Sequence, residues 1–225
     1  MMKNYMSECF GTFFLVFAGT GAIIANDIFG SLGHVGVSMS FGLVVMAMIY
    51  AFGDSSGAHL NPAVSISFFA LKRLSAKNTF FYIIFQCIGA ITASLVLKLT
   101  FPSSKLLGAT LPGISLSGTF LYEFIMTYFL MMVILSVATG AKEKGMMAGV
   151  AIGGTVALEA LFGGPITGAS MNPARSLAPA LVSGTFSHLW IYIVATTLGA
   201  LAAVPSCKIL HVKGCCDSFP DKLKT

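Results

Sequence analysis

Gly168-Ala169-Ser170-Met171-Asn172-Pro173-Ala174-Arg175-Ser176 has a second copy in the same chain, Gly57-Ala58-His59-Leu60-Asn61-Pro62-Ala63-Val64-Ser65. Both follow Gly-Ala-x-x-Asn-Pro-Ala-x-Ser, and the offset, 172 − 61 = 111, is about half of the 225 residues. A lone Asn-Pro-Ala is an ordinary turn signal. Matching nine-residue copies, one in each half, indicate an internal duplication. Asn is a favoured N-cap, and Pro at the first helical position forfeits no hydrogen bond, because that amide has no intrahelical partner. Each copy therefore predicts a helix start. These helices are short, ending at Lys72-Arg73 and at Ser183-Gly184. Each has about ten residues, against the roughly 20 needed to cross a bilayer.

The rest of the chain says that a bilayer is the solvent. Hydrophobic residues make up 56% and charged residues 9%, with a mean hydropathy of +0.88. Soluble domains carry about 25% charge, so the composition predicts an all-α membrane protein. The net charge of +5 lies mostly in short loops and tails. No basic patch interleaved with aromatic residues points to nucleic acid. Cys9, Cys87, Cys207, Cys215 and Cys216 show neither metal-ligand spacing nor a disulfide framework, and no cofactor is expected. Cys215-Cys216 reads as inert thiols or as a lipidation site. The first apolar run is long enough to be a true span rather than a cleaved signal.

Runs long enough to cross fall at about 6–26, 35–53, 79–100, 118–140, 145–163 and 187–210. The short helices follow the second and the fifth. Each half is thus span, span, half-helix, span. Three spans is an odd number, so the halves enter from opposite sides as an inverted 3+3 repeat. The expected organisation is one domain over 1–225, with repeats at about 5–100 and 118–210 and a tail at 211–225. With both tails cytoplasmic, that side holds Lys3, Lys72, Arg73, Lys77, Lys142, Lys144, Lys208, Lys213, Lys222 and Lys224. This is the asymmetry expected of an inner face. The half-helices then dip in from opposite faces, and Asn61 and Asn172 meet near the midplane. The segments before them must be non-helical, and at that depth such backbone survives only inside protein or beside water. A wet route is implied. Small residues such as Gly19, Gly153 and Gly199 suit close helix contact.

Two facing helix N-termini add partial positive charge. The Asn61 and Asn172 amides can donate to a passing oxygen while their own oxygens cap the helices. Arg175 lies three residues into the second half-helix, where its counterpart is Val64. A charge at that depth is costly and usually functional, and a guanidinium offers fixed donors. Glu8 and Glu123 occupy corresponding places, 123 − 8 = 115. Buried carboxylates need donors, and the free amides of the re-entrant segments are the expected partners. Glu159 is open to two readings: an anchor for Gly163-Gly164-Pro165, or a contact with the route. His59 is read either as a packed neutral ring or as a group facing the route with a pH-dependent role. His34 and His188 read as solvated span ends. The loop Thr100–Ser117 reads as the seam between repeats.

The paired motifs resemble those of the major intrinsic protein family, aquaporins and glycerol facilitators, over about residues 5–210. The resemblance implies six spans, two half-helices, a pore in each protomer and a homotetramer in the lipid bilayer. It also implies a selectivity filter at Phe41, Ala160, Ala169 and Arg175. Strict water channels tend to have His where Ala160 stands. Two alanines opposite a Phe leave a wider, half-apolar opening, which suits glycerol, urea or undissociated metalloid acids, with water following. Ser176 and Ala180 are as in water channels, whereas glycerol facilitators usually have an Asp and a basic residue there. The sequence from Gly164 to Leu177, with Tyr192-Ile193, is most similar to the nodulin-26-like branch and its bacterial relatives, although that branch usually has Trp in place of Phe41. The expectation is a passive channel for small uncharged solutes in a plasma or bacterial inner membrane. Its rivals are a water-selective channel of the same fold, a secondary transporter using Glu8, Glu123 or Glu159, and a purely structural membrane protein. No nucleophile–base pair, metal cluster or phosphate loop suggests an enzyme.

Overall fold

The computed structural model describes residues 1–138 and 146–210. The expectations placed on Lys142, Lys144, Gly145, Cys215, Cys216 and the 211–225 tail lie outside these residues. Eight helices are present among the described residues: α1 Met2–Phe29, α2 Gly33–Ser56, α3 Pro62–Ala70, α4 Ala76–Thr100, α5 Leu116–Ala138, α6 Ala148–Thr167, α7 Pro173–Ser183 and α8 Leu189–Leu210. All except α3 and α7 are long and apolar enough to cross a membrane. The chain is an all-α membrane protein of six spans and two half-helices, each half repeating the other upside down. The ends of the bundle are called here the terminal face, where α1 starts, and the loop face, where the 101–115 connection lies. The half-helix α3 runs from the centre back to the terminal face, and α7 from the centre to the loop face.

Two expected boundaries need correction. The first span runs past 6–26 at both ends and stops at Gly30, whose φ of 63° terminates α1. The fifth was expected to stop at 163, but α6 continues through Gly163-Gly164-Pro165 to Thr167. Proline normally breaks a helix by removing the N–H owed to the carbonyl four residues back. Here that carbonyl belongs to Leu161, and His34 Nε2 donates to it at 2.7 Å. Gly164 makes the room, since a Cβ there would lie 2.8 Å from His34 Cε1. His34 is exposed, but as a bonded partner of α6 rather than a merely solvated span end.

The core is built by close backbone approach. α1 packs chiefly on α4, α5 on α8, and α2 on α6. At the α2–α6 crossing a Cβ on Gly42 would sit 2.5 Å from the Gly153 carbonyl oxygen, and one on Gly153 equally close to the Gly42 oxygen. At the α1–α4 and α5–α8 crossings, Gly89 and Gly199 lie against the carbonyls of Cys9 and Phe124. Without water to drive burial, such dispersion contact is the main attraction between membrane helices. The polarity is inside-out. Glu8, Gln86, Glu123 and Arg175 are among the largest fully buried side chains, while Phe10, Phe14, Leu43, Ile125 and Trp190 face outward. In a membrane that outer surface meets lipid. Lys98, near the loop-face end of α4, donates from Nζ to the Val182 carbonyl at 3.0 Å, which complements the negative C-terminal end of α7.

Candidate functional site

Both half-helices begin as their sequences dictate. Asn61 and Asn172 are extended, with φ of −157° and −152°. Asn61 Oδ1 accepts from the Ala63 amide at 2.9 Å. Asn172 Oδ1 accepts from Ala174 at 3.0 Å and Arg175 at 3.3 Å. The side-chain nitrogens reach across the centre: Asn61 Nδ2 donates to the Met171 carbonyl at 2.7 Å, and Asn172 Nδ2 to the Leu60 carbonyl at 2.8 Å. This refines the sequence expectation. One proton of each amide locks the opposite tip. Pro62, Ala63, Pro173 and Ala174 are buried at the tips and form no part of the cavity wall.

The segments leading to the tips are unusual backbone. Ala58, Leu60, Ala169 and Met171 have φ of 45°, 52°, 41° and 52°. Such left-handed geometry costs on the order of 1 kcal/mol per non-glycine residue. Two buried carboxylates hold it in place. Glu8 accepts from the His59 amide (2.9 Å), the Leu60 amide (2.7 Å), Ser56 Oγ (2.7 Å) and Gln86 Nε2 (2.7 Å). Glu123 accepts from the Ser170 amide (2.9 Å), the Met171 amide (3.0 Å) and Thr167 Oγ1 (2.7 Å). Tyr82 and Tyr192 then donate to the carbonyls of Ser56 and Thr167, both at 2.8 Å. The pairs Ser56/Thr167 (167 − 56 = 111) and Tyr82/Tyr192 (192 − 82 = 110) could have been found by sliding the repeat offset along the chain.

Arg175 is 1% exposed, so it does not reach the outer surface. Its Nη1 donates to the Gly108 carbonyl at 2.8 Å, and its Cζ lies 5.0 Å from the Phe41 ring centroid. The Phe41 ring fits where α1 has only Gly19. The connection after α4 is thus part of the site rather than a plain seam. Thr110 Oγ1 meets Ser176 Oγ at 2.7 Å, and Ser176 Oγ meets Ser170 Oγ at 2.6 Å. Nothing in the local sequence around Gly108 signals this, because a backbone carbonyl is common to every residue.

A single cavity of about 1510 Å³ joins these parts. It runs from Asp54, Lys72, Arg73 and Asn78 near the terminal face, past Asn61 and Asn172, to Phe41, Ala160, Ala169 and Arg175. His59 also lines it. Its ring stacks on Phe68 at 4.6 Å, and Nδ1 lies 3.1 Å from Ser65 Oγ. Ser65 Oγ also lies 3.2 Å from the Asn61 carbonyl and accepts from Gln86 Nε2 at 3.0 Å, so the His59 ring is tied into the network that supports the first tip. His59 is thus both packed and on the path. The arrangement can pass a file of small hydroxylic molecules, with donors at the centre and at Arg175 and apolar walls between.

A family model described as Major intrinsic protein matches residues 1–205. The chain belongs to the major intrinsic protein family. It is 44% identical over 214 residues to Aquaporin NIP1-4 of Oryza sativa subsp. japonica, covering 95% of this chain and 78% of that one. It is 41% identical over 203 residues to Nodulin-26 of Glycine max, covering 89% and 75%. Among solved structures, the X-ray structure of the aquaglyceroporin from Plasmodium falciparum matches with a TM-score of 0.80 and 27% identity, over 92% of this chain and 99% of that one.

Some residues of this major intrinsic protein stand apart from the path. Cys9 and Cys87 are half-buried, Cys207 is buried, and none lines the cavity. Glu159 fits neither reading offered for it. It is fully buried and does not line the cavity, and neither carboxyl oxygen has a hydrogen-bond partner among the described residues. Its repeat counterpart is Met48 (159 − 48 = 111). An unpartnered buried polar group costs about 1–3 kcal/mol. Glu159→Met is therefore expected to raise the melting temperature in detergent with flux retained. A fall in melting temperature would reveal a partner for the carboxyl.

Proposed function

We propose that the protein is a passive channel that conducts glycerol and comparable uncharged solutes, with urea and undissociated metalloid acids in the same class, together with water. It excludes ions and protons. The observation that carries this reading is that Phe41, Ala160, Ala169 and Arg175 all line the cavity that also passes both Asn tips. In this reading Phe41 and the two alanines face the carbon skeleton of a solute, and Arg175 and the Asn amides receive its hydroxyls in turn. Ions are refused because the tips and Arg175 are electropositive and the walls offer no acceptor shell to replace a cation's hydration. The names of the relatives support the same class of cargo.

The channel is a homotetramer in this reading, with the outward apolar faces shared between lipid and neighbouring protomers. It lies in a plasma or bacterial inner membrane with the terminal face cytoplasmic, as the distribution of Lys and Arg favours. It is organised as two repeats, 5–100 and 118–210, and a 211–225 tail. Stopped-flow light scattering on proteoliposomes tests the proposal with water, glycerol, urea and arsenite, sorbitol serving as the impermeant control. Rapid glycerol equilibration is expected. Water flux without glycerol flux would replace the proposal with a water-selective channel, and dependence on a proton gradient would replace it with a transporter.

The filter assignment is tested separately. Ala160→His adds a bulky polar ring to the wall opposite Phe41 and is expected to cut glycerol flux about tenfold or more, the loss that overpacking by roughly 1–3 kcal/mol implies. Water flux should fall much less. Equal loss of both would remove Ala160 from the filter.

A further inference from the structure

The filter residues have images in the other half of the chain. Applying the 111-residue offset, Phe41 maps to Ile152 (152 − 41), Ala160 to Ile49 (160 − 49), Ala169 to Ala58 (169 − 58) and Arg175 to Val64 (175 − 64). All four images line the same cavity as the filter itself. Ala58 and Ala169 share the same left-handed backbone, with φ of 45° and 41°, so the mapping holds in conformation as well as in sequence. In the inner part of the cavity α2 contributes Phe41, Val45 and Ile49 and α6 contributes Ile152, Val156 and Ala160, while Tyr50, residues 53–56 and Ala148 line its terminal-face mouth. Both series step by four residues and so stay on one helix face, with about 6 Å of rise per step. The two helices run oppositely, which gives three layers: Phe41 with Ala160, Val45 with Val156, and Ile49 with Ile152.

From this layering we infer that Ile49, Ala58, Val64 and Ile152 form a second selecting ring, on the terminal-face side of the Asn tips, whose four side chains select by apolar contact. The inference rests on the channel reading above. Ile49, Val64 and Ile152 are β-branched, so their side chains are held in few rotamers and present a fixed wall. None of the four carries a donor or acceptor. Apart from the His59 ring, which lines the cavity next to Ala58, a molecule passing here keeps only the hydrogen bonds supplied by its neighbours in the file or by backbone. Water, polar on every side, loses most by this; a polyol can turn its carbon edge to the ring and lose less. The ring at Arg175 therefore sorts by hydrogen bonding, and its image sorts by apolar edge and girth. Together they favour a solute with one hydroxylated and one hydrocarbon side.

The test uses the full chain in proteoliposomes, with glycerol and water flux measured per folded protein. Ile152→Phe gives the image ring the aromatic residue of the filter, and Ile49→Phe narrows it from the opposite helix. Each is expected to lower glycerol flux about tenfold and water flux less. Ile152→Thr introduces a hydroxyl with a smaller side chain and is expected to raise water flux relative to glycerol. Three variants on two helices keep the answer independent of any one of them folding poorly. If folded variants keep the wild-type glycerol flux and glycerol-to-water ratio, the ring does not select and the inference is overturned, while the channel reading stands. If the wild-type protein passes neither water nor glycerol, both fall together.

Discussion

Glu8→Leu is expected to abolish glycerol flux while leaving the long helices in the membrane. The carboxylate ties down the His59 and Leu60 amides, the Ser56 hydroxyl and the Gln86 amide. Leucine fills similar space but accepts nothing, so four donors lose this acceptor at once, and of these only Gln86 Nε2 keeps another, Ser65 Oγ. Each stranded donor costs about 1–3 kcal/mol before relaxation, and the left-handed residues Ala58 and Leu60 lose the bonds that oppose their strain. The tip is then free to abandon its geometry, and the lock between Leu60 and Asn172 goes with it. Loss of stability of at least about 3 kcal/mol places this among the severe substitutions. Glu8→Gln should be intermediate, because one oxygen still accepts while the new NH₂ opposes donors. Glu123→Leu should be milder than Glu8→Leu, since its carboxylate has three donors rather than four. Glycerol flux in proteoliposomes and melting temperature in detergent check the order; equal behaviour of Glu8→Leu and wild type would show that the re-entrant backbone stands without its carboxylate.

Arg175→Val is expected to leave the fold intact and destroy discrimination. Valine is the residue at the equivalent place in the other half, Val64, which is itself buried, so the backbone there accepts it. What is lost is charge and girth. The guanidinium leaves the Gly108 carbonyl and the Phe41 ring, and the cavity widens between Phe41 and Ala160. A unit charge about 6 Å from a passing cation, at an effective dielectric of about 20, repels it by roughly 3 kcal/mol. Removing it should raise cation or proton leak on the order of 100-fold. Sorbitol, the impermeant control, should also begin to enter. Proton leak is read with a pH-sensitive dye in the vesicles, and solute cut-off by light scattering. Unchanged leak and cut-off would mean that the barrier lies elsewhere, at the Asn tips or beyond.

Much of this architecture was legible in the chain because duplication wrote it twice. The half-helix starts follow from an Asn-Pro that occurs twice at one offset, and the partners of Glu8 and Glu123 follow from the carboxylates' need for donors. Phe41, Ala160 and Ala169 came through the family resemblance, since a Phe or Ala on a membrane helix carries no local mark of facing water. Gly108 was illegible for a different reason: its contribution is a carbonyl oxygen placed by a loop. The length of α6 was misjudged because Pro165 reads as a stop, and the His34 ring that supplies the missing donor lies 131 residues earlier (165 − 34). Glu159 could not be decided from sequence for another reason. A carboxyl in a span invites a role, and this one has neither a partner nor a place on the path.

The reciprocal bonds between Asn61 and Met171, and between Asn172 and Leu60, bear on how the protein is made. Neither tip is complete until the other exists, and the second emerges from the ribosome 111 residues after the first (172 − 61). At about 5–20 residues per second, that delay is roughly 5–20 s. For that interval the nascent first half carries an unfinished polar end inside the bilayer, and a chain truncated before Asn172 would carry it permanently.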